Sequence, residues 1–333
     1  MESMVNKKSL SLPNNINGSN ILVTGGTGFI GSHVVKSLLK HKAKIIVPYI
    51  EINPRSLFYL DKLSKKVNIE HVDVTNKSKV FRLIKKYNID YIIHFAAQTV
   101  VTKAYQSPFE TLKTNIMGTV NVLEAARNYK NIKGIIVASS DKAYGKTTVP
   151  YTEDFPLRGD HPYDVSKSCT DLIAQTYFKT YKLPIVVTRF GNVYGEGDLH
   201  LDRIIPSICQ AIINKEILKI RSDGTYVRDY VYVKDIAEGC VLLLTKINQV
   251  LGEAFNFSSK DTDSVLEVVK KAQEILGINI PYAIMNNSKN EIPYQHLIDS
   301  KVRKLGWKNQ YRLKNVLPKV YSWYKKNLRR SYG

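Results

Sequence analysis

The sequence predicts an α/β fold: a doubly wound parallel sheet with a smaller α/β domain. Three observations lead there. An apolar, β-branched run at Ile21 to Thr24 passes through a glycine-rich turn into apolar residues at helical spacing. Strand and helix patterns then alternate through the first half of the chain, as a parallel sheet covered on both faces by helices requires. The length of 333 residues suits one large or two small domains, and 44% hydrophobic residues is ample for their cores.

Taken in order, Ile21 to Thr24 form the first strand, and Gly25, Gly26, Thr27 and Gly28 force a tight turn. Phe29, Ile30, Val34 and Val35 then recur as one face of a helix. Gly25 permits the turn, Gly28 lets a backbone approach a pyrophosphate, and Gly31 lets helix and strand pack closely. The open N–H groups and dipole at the helix start favour that anion. Lys44 to Val47 reads as the second strand and Val67 to Val72 as the third, ending in Asp73. A helix follows over Ser78 to Tyr87, a fourth strand over Tyr91 to His94, a helix over Ile116 to Tyr129, and a fifth strand over Gly134 to Ala138. No internal repeat is visible. The second strand runs into Pro48-Tyr49-Ile50-Glu51, without the Asp that commonly bonds an adenosine ribose. Glu51 is a candidate for that contact, and Arg55 for a 2′-phosphate. NAD is therefore the expected cofactor, with NADP left open.

Composition excludes several classes. No run of about 18 apolar residues is present, so no membrane association is expected. Residues 1–19 are mostly polar, lack the apolar stretch of a signal peptide, and read as a disordered extension. Cys169, Cys209 and Cys240 are scattered and odd in number, which speaks against zinc or disulfides and for a reducing cytoplasm. No metal is expected. The net charge of +20 comes from lysines spread along the chain, apart from the tail YKKNLRR, so no nucleic-acid partner is expected. A positive field would help capture polyanionic substrate and cofactor.

Tyr163 and Lys167, in Y-D-V-S-K, lie one helical turn apart. An ammonium beside the phenol lowers its pKa and makes a proton shuttle. Ser140, Asp141 and Lys142 follow the fifth strand, at the carboxyl edge where such sheets bind ligands. Ser140 would bond the same hydroxyl as Tyr163. Asp141 and Lys142 are adjacent titratable groups, and two such groups held in opposed environments suit opposite proton-transfer roles.

The G-x-x-G-x-x-G turn, the Tyr-x-x-x-Lys pair and Ser140 together resemble the extended short-chain dehydrogenase/reductase superfamily, and its NAD-dependent epimerase/dehydratase family. The resemblance covers about Asn20 to Lys326. It implies a Rossmann sheet, with Asp73 and its neighbour Val74 at the adenine and with Ala96 and Ala97 close to the cofactor. Asn115 matches a structural Asn. Gln98, Asn192, Arg203 and Arg228 are implied substrate contacts, the last gripping a diphosphate. Asp141-Lys142 and the loop G-E-G-D-L-H-L-D-R resemble CDP-glucose 4,6-dehydratases. The implied reaction is NDP-hexose to NDP-4-keto-6-deoxyhexose. A UDP-hexose-type 4-epimerase and a non-catalytic dinucleotide-binding protein are the alternatives. The expected units are 20–190 for dinucleotide, with later returns near 228–257, and an interleaved 191–330 for nucleotide sugar. A homodimer is expected through helices at Thr111 to Tyr129 and Asp164 to Tyr181.

Overall fold

The computed structural model describes residues 16–287 and 291–328. Twelve strands occur among them: β1 (Asn20–Thr24), β2 (Lys44–Tyr49), β3 (Asn68–His71), β4 (Tyr91–His94), β5 (Gly134–Ala138), β6 (Ile185–Phe190), β7 (Asn192–Tyr194), β8 (Leu218–Ile220), β9 (Val227–Tyr232), β10 (Ala254–Phe257), β11 (Thr262–Ser264) and β12 (Tyr282–Ile284). The helices are α1 (Phe29–Lys40), α2 (Leu57–Leu60), α3 (Lys77–Lys86), α4 (Val101–Gln106), α5 (Pro108–Leu112), α6 (Gly118–Tyr129), α7 (Pro162–Tyr181), α8 (Ile204–Asn214), α9 (Val233–Thr245), α10 (Val265–Leu276), α11 (Ser300–Lys304) and α12 (Leu313–Leu328).

Seven strands form one parallel sheet in the order β10-β6-β5-β4-β1-β2-β3. Both faces of this sheet are covered, so β5 and β6 are buried along their whole length, including Thr188 and Arg189 of β6. The strand order reverses between β1 and β4, which opens a crevice at their carboxyl ends. Three loops that matter below leave the sheet there, after β1, β4 and β5. Strands β7, β9 and β11 build a second, mixed sheet, and β8 pairs with β12. Helices α8, α10 and α12 pack against one another beside them.

The structure adjusts several expected boundaries. The extension expected over 1–19 lies mostly outside the described residues. Ile16, however, is buried in the main core, and Gly18 and Ser19 bond to Lys42 and Lys44, so ordered packing begins before Asn20. Helix α3 starts one residue earlier than expected because the Asn76 side chain accepts the Lys79 N–H and caps it. The helix expected from Ile116 is longer and contains a π-helical turn at Lys113–Met117 between α5 and α6. Of the returns expected near 228–257, α9 packs on α1 and β10 joins the large sheet beside β6. Strand β9 instead lies in the second sheet, paired with β7 and β11. Among the described residues, no helix is long and apolar enough to cross a membrane.

Candidate active site

The glycine turn has the geometry its spacing suggests, with one added reason for Gly25. That residue sits at φ +69°, and a Cβ there would lie 2.8 Å from the Ala96 nitrogen and the Phe95 carbonyl carbon. The β4 loop therefore passes directly over the turn, and Thr24 Oγ1 accepts the Ala96 N–H at 3.2 Å. A Cβ at Gly31 would lie 2.2 Å from the Gly25 carbonyl oxygen, so only glycine lets α1 pack on the turn. No side chain caps the α1 N-terminus, and Gly28 occupies the cap position. An uncapped helix start beside a glycine cradle fits a dinucleotide pyrophosphate. Asp73 is exposed and its Oδ1 accepts the Thr75 N–H at 2.8 Å, shaping the loop after β3. Val74 is buried against Gly118.

The β4 loop is tied to α7 through the π-helical turn. Asn115 accepts the Gln98 N–H at 2.7 Å, donates to the Gln98 carbonyl at 3.0 Å and donates to Ser166 on α7 at 2.8 Å. Gln98 was expected to touch substrate. Its Nε2 instead donates to Val100 O and Thr111 Oγ1, and its Oε1 accepts the Val100 N–H. The carboxamide is engaged by Val100 and Thr111, so Gln98 shapes the β4 loop.

Strand β5 ends in the second constellation. Ser140 caps the short 3₁₀ turn Asp141–Tyr144, and its Oγ donates to Asp141 Oδ1 at 2.9 Å. Lys142 Nζ lies 3.7 Å from Asp141 Oδ1 and donates to Gln295 Oε1 at 3.5 Å. This turn is fastened to α7 by Ser168, whose hydroxyl donates to Ala143 O at 2.8 Å. Ser140 therefore comes within hydrogen-bonding reach of the Tyr163 phenol. Packing of α7 along this turn, of which the Ser168 bond is one part, brings the two groups together.

Burial dominates the electrostatics. It lifts the Tyr163 phenol to about 12, and the charge that pulls it back most is Arg203, at the start of α8. That part was expected of Lys167. The Lys167 amine is buried and donates to Ala138 O at 2.8 Å, and burial lowers its pKa to about 8. Neighbouring Asp164 is raised by burial to about 6, against opposing pulls from Lys142 and His161. His94 bridges Thr24 and Thr119 beneath the site and burial holds it neutral, at about 3.

The remaining expected substrate contacts lie on β7, on β9 and at the start of α8. Asn192 has a buried Nδ2 without a hydrogen-bond partner. Arg203 pairs with Asp198 at 3.2 Å and is partly exposed. Arg228 donates to the carbonyls of Val227 and Pro293 and faces Glu291 at 3.7 Å. Asp164 and Gln295 were not singled out from the sequence. Asp164 stood in plain view beside Tyr163, whereas nothing local marks Gln295, which arrives from a loop 153 residues after Lys142.

Comparison with known proteins bears on this arrangement. The profile of the NAD dependent epimerase/dehydratase family matches residues 21–257. The chain belongs to that family. It is 31% identical to a trifunctional UDP-glucose 4,6-dehydratase/UDP-4-keto-6-deoxy-D-glucose 3,5-epimerase/UDP-4-keto-L-rhamnose-reductase of Arabidopsis thaliana, across 92% of this chain but 47% of the plant protein. The chain thus spans about half the length of such relatives. Dehydratase and epimerase structures of the family superpose on it equally well. The dTDP-glucose 4,6-dehydratase of Bacillus anthracis, solved in complex with NAD, gives a TM-score of 0.82 at 28% identity, covering 93% of this chain and 97% of that one. The UDP-glucuronic acid 4-epimerase of Bacillus cereus, solved with UDP-glucuronic acid and NAD, gives 0.85 at 26% identity, covering 92% and 99%. Overall shape therefore does not separate the two chemistries within the family; the groups beside Ser140 must.

Proposed function

We propose that the chain is an NAD-dependent nucleotide-sugar 4,6-dehydratase. The observation that carries this reading is the Asp141–Lys142 pair, set directly after Ser140 with its carboxyl and amino groups 3.7 Å apart. A 4-epimerase needs a proton shuttle at one hydroxyl. A 4,6-dehydratase also needs a base for the C5 proton and an acid for the departing 6-hydroxyl. This site supplies both additional groups.

The residues that would hold NAD are Gly25, Gly28, Phe29, Ile30 and Gly31 at the pyrophosphate, Asp73 and Val74 at the adenine, and Ala96, Ala97, Tyr163 and Lys167 toward the nicotinamide. Bound there, NAD would supply reversible hydride transfer between C4 and C6 of the sugar. Tyr163 takes the proton of the 4-hydroxyl, which Ser140 orients. A phenol lifted to about 12 is a reluctant base, so the nearby positive charge of Arg203 assists its ionisation. Lys142 removes the C5 proton made acidic by the C4 ketone, and Asp141 protonates the leaving oxygen. Asn192 and Arg228 face the nucleotide's diphosphate.

The nucleotide is the finer part of the proposal. CDP-glucose comes first, because the loop from Gly195 through Arg203 resembles that branch. The relatives compared above are named for UDP- and dTDP-sugars. The chain acts as a homodimer in this reading. The two helices expected to form the interface expose Met117 and Leu172 about half, an apolar display that a second copy would cover.

The deciding experiment incubates the protein and NAD with CDP-, UDP-, dTDP- and GDP-glucose. A 4-keto-6-deoxy product absorbing in base is expected from one of them. Lys142→Ala should lower that rate by about 10²–10⁴-fold, with C5 proton exchange falling in parallel. A C4-inverted sugar as the product would replace this reading with the epimerase, and the absence of turnover on every substrate would favour a dinucleotide-binding protein.

A further inference from the structure

We propose that Gln295 is the residue that positions Lys142 and reads the hexose, a role that rests on the dehydratase assignment for Lys142. The side chain is 1% exposed, and its Oε1 accepts the Lys142 ammonium at 3.5 Å. An ammonium has donors only, so the carbonyl end of the carboxamide must face it. The other end is then set by chemistry: Nε2 is a donor, and it is buried without a hydrogen-bond partner. A buried, unpaired N–H group costs about 1–3 kcal/mol. Beside a catalytic lysine, the acceptor that removes this cost is an oxygen of the bound sugar.

The loop that carries Gln295 is held from three directions. Its N–H donates to Val227 O at 3.1 Å. Leu297 N–H and His296 Nδ1 both bond the buried Asp229 carboxylate at 2.7 Å. Tyr151 N–H donates to His296 O, and Ile298 N–H to Tyr151 O, both at 2.8 Å. Tyr151 follows the Ser140 loop in sequence, and Asp229 adjoins Arg228. The strap therefore spans the two domains, and its side chain at 295 meets Lys142 where they face each other. Holding the amine between Asp141 and Gln295 restricts an otherwise flexible four-carbon stem.

The test compares Gln295→Leu and Gln295→Glu with the wild type. Folding is checked by melting temperature with NAD. Affinities for the NDP-hexose and for the bare NDP are measured separately. Gln295→Leu should weaken NDP-hexose binding by about 10-fold or more and leave NDP binding unchanged, since a hydrogen bond lost from a buried site is worth that much. Its kcat should fall as well, because Lys142 loses its acceptor. Gln295→Glu places a carboxylate against an amine otherwise faced by Asp141 and Asp164, so the acidic limb of the kcat profile should move to higher pH. Equal loss of NDP and NDP-hexose affinity, or unchanged KM and kcat in Gln295→Leu, would overturn the proposal. Should the wild type epimerise its substrate, the dehydratase role of Lys142 fails on that product alone. The ratio of the two affinities still decides whether Gln295 reads the sugar.

Discussion

Replacing Asp164 by Asn should stabilise the protein, and by an amount that depends on pH. Asp164 lies in the first turn of α7, 6% exposed, between Tyr163 and the Lys142 turn. Burial raises its carboxyl from 3.8 to about 6; Lys142 and His161 oppose this, while Asp141 and Asp160 add to it. A carboxyl with a higher pKa folded than unfolded binds its proton more tightly in the folded state. Its contribution is therefore fully present below about pH 4 and is lost as the pH rises through about 6. A displacement of about two units corresponds to about 3 kcal/mol above pH 6. Asparagine keeps the shape and does not ionise, so it avoids that loss. Guanidinium unfolding at pH 5 and pH 8 reads the difference. At pH 5 roughly half of the loss has occurred, so the variant's advantage should widen by about 1.5 kcal/mol toward pH 8. An advantage that is constant across this range, or larger at pH 5, would show that the carboxyl is not held in a desolvating site. Comparing the variant with the wild type at each pH cancels every other titrating group.

Gly31→Ala should abolish stabilisation by NAD in a thermal melt, because the new Cβ meets the Gly25 carbonyl at 2.2 Å and displaces the turn. Asp171→Ala should cost about 3–5 kcal/mol in denaturant unfolding, since it strands the buried Arg189 guanidinium that it holds bidentately at 2.7 and 3.0 Å. Tyr163→Phe should lower turnover by about 10²–10⁴-fold while binding of the nucleotide sugar persists, as calorimetry would show. A Met117→Asp, Leu172→Asp double variant should run as a monomer in light scattering; an unchanged dimer mass would move the interface elsewhere.

The order of strands and helices, the glycine turn and the Tyr163–Lys167 pair could all be read from the sequence, because each is a local regularity. Period two or an unbroken apolar run marks a strand, period 3.6 marks a helix, and a four-residue spacing places two side chains on one helical face. The place of Asp141 and Lys142 was legible for the same reason: with Ser139 and Ser140 they form the segment after a strand whose end must face the crevice. Alternation also implied a parallel sheet covered on both faces, whereas the strand order that opens the crevice between β1 and β4 came only with the structure.

What only the tertiary structure decided involves segments distant in sequence. The Gln98 carboxamide closes its own loop against Thr111, a contact its local sequence does not show. The cation that moves the Tyr163 phenol most is Arg203, forty residues on and in another layer, while Lys167 turns to Ala138. Gln295 reaches Lys142 because Asp229 and Tyr151 pin a late loop over the site. A side chain's local spacing sets which face it occupies. Which donor or charge it meets there depends on where the rest of the chain crosses, and burial at that crossing sets its strength.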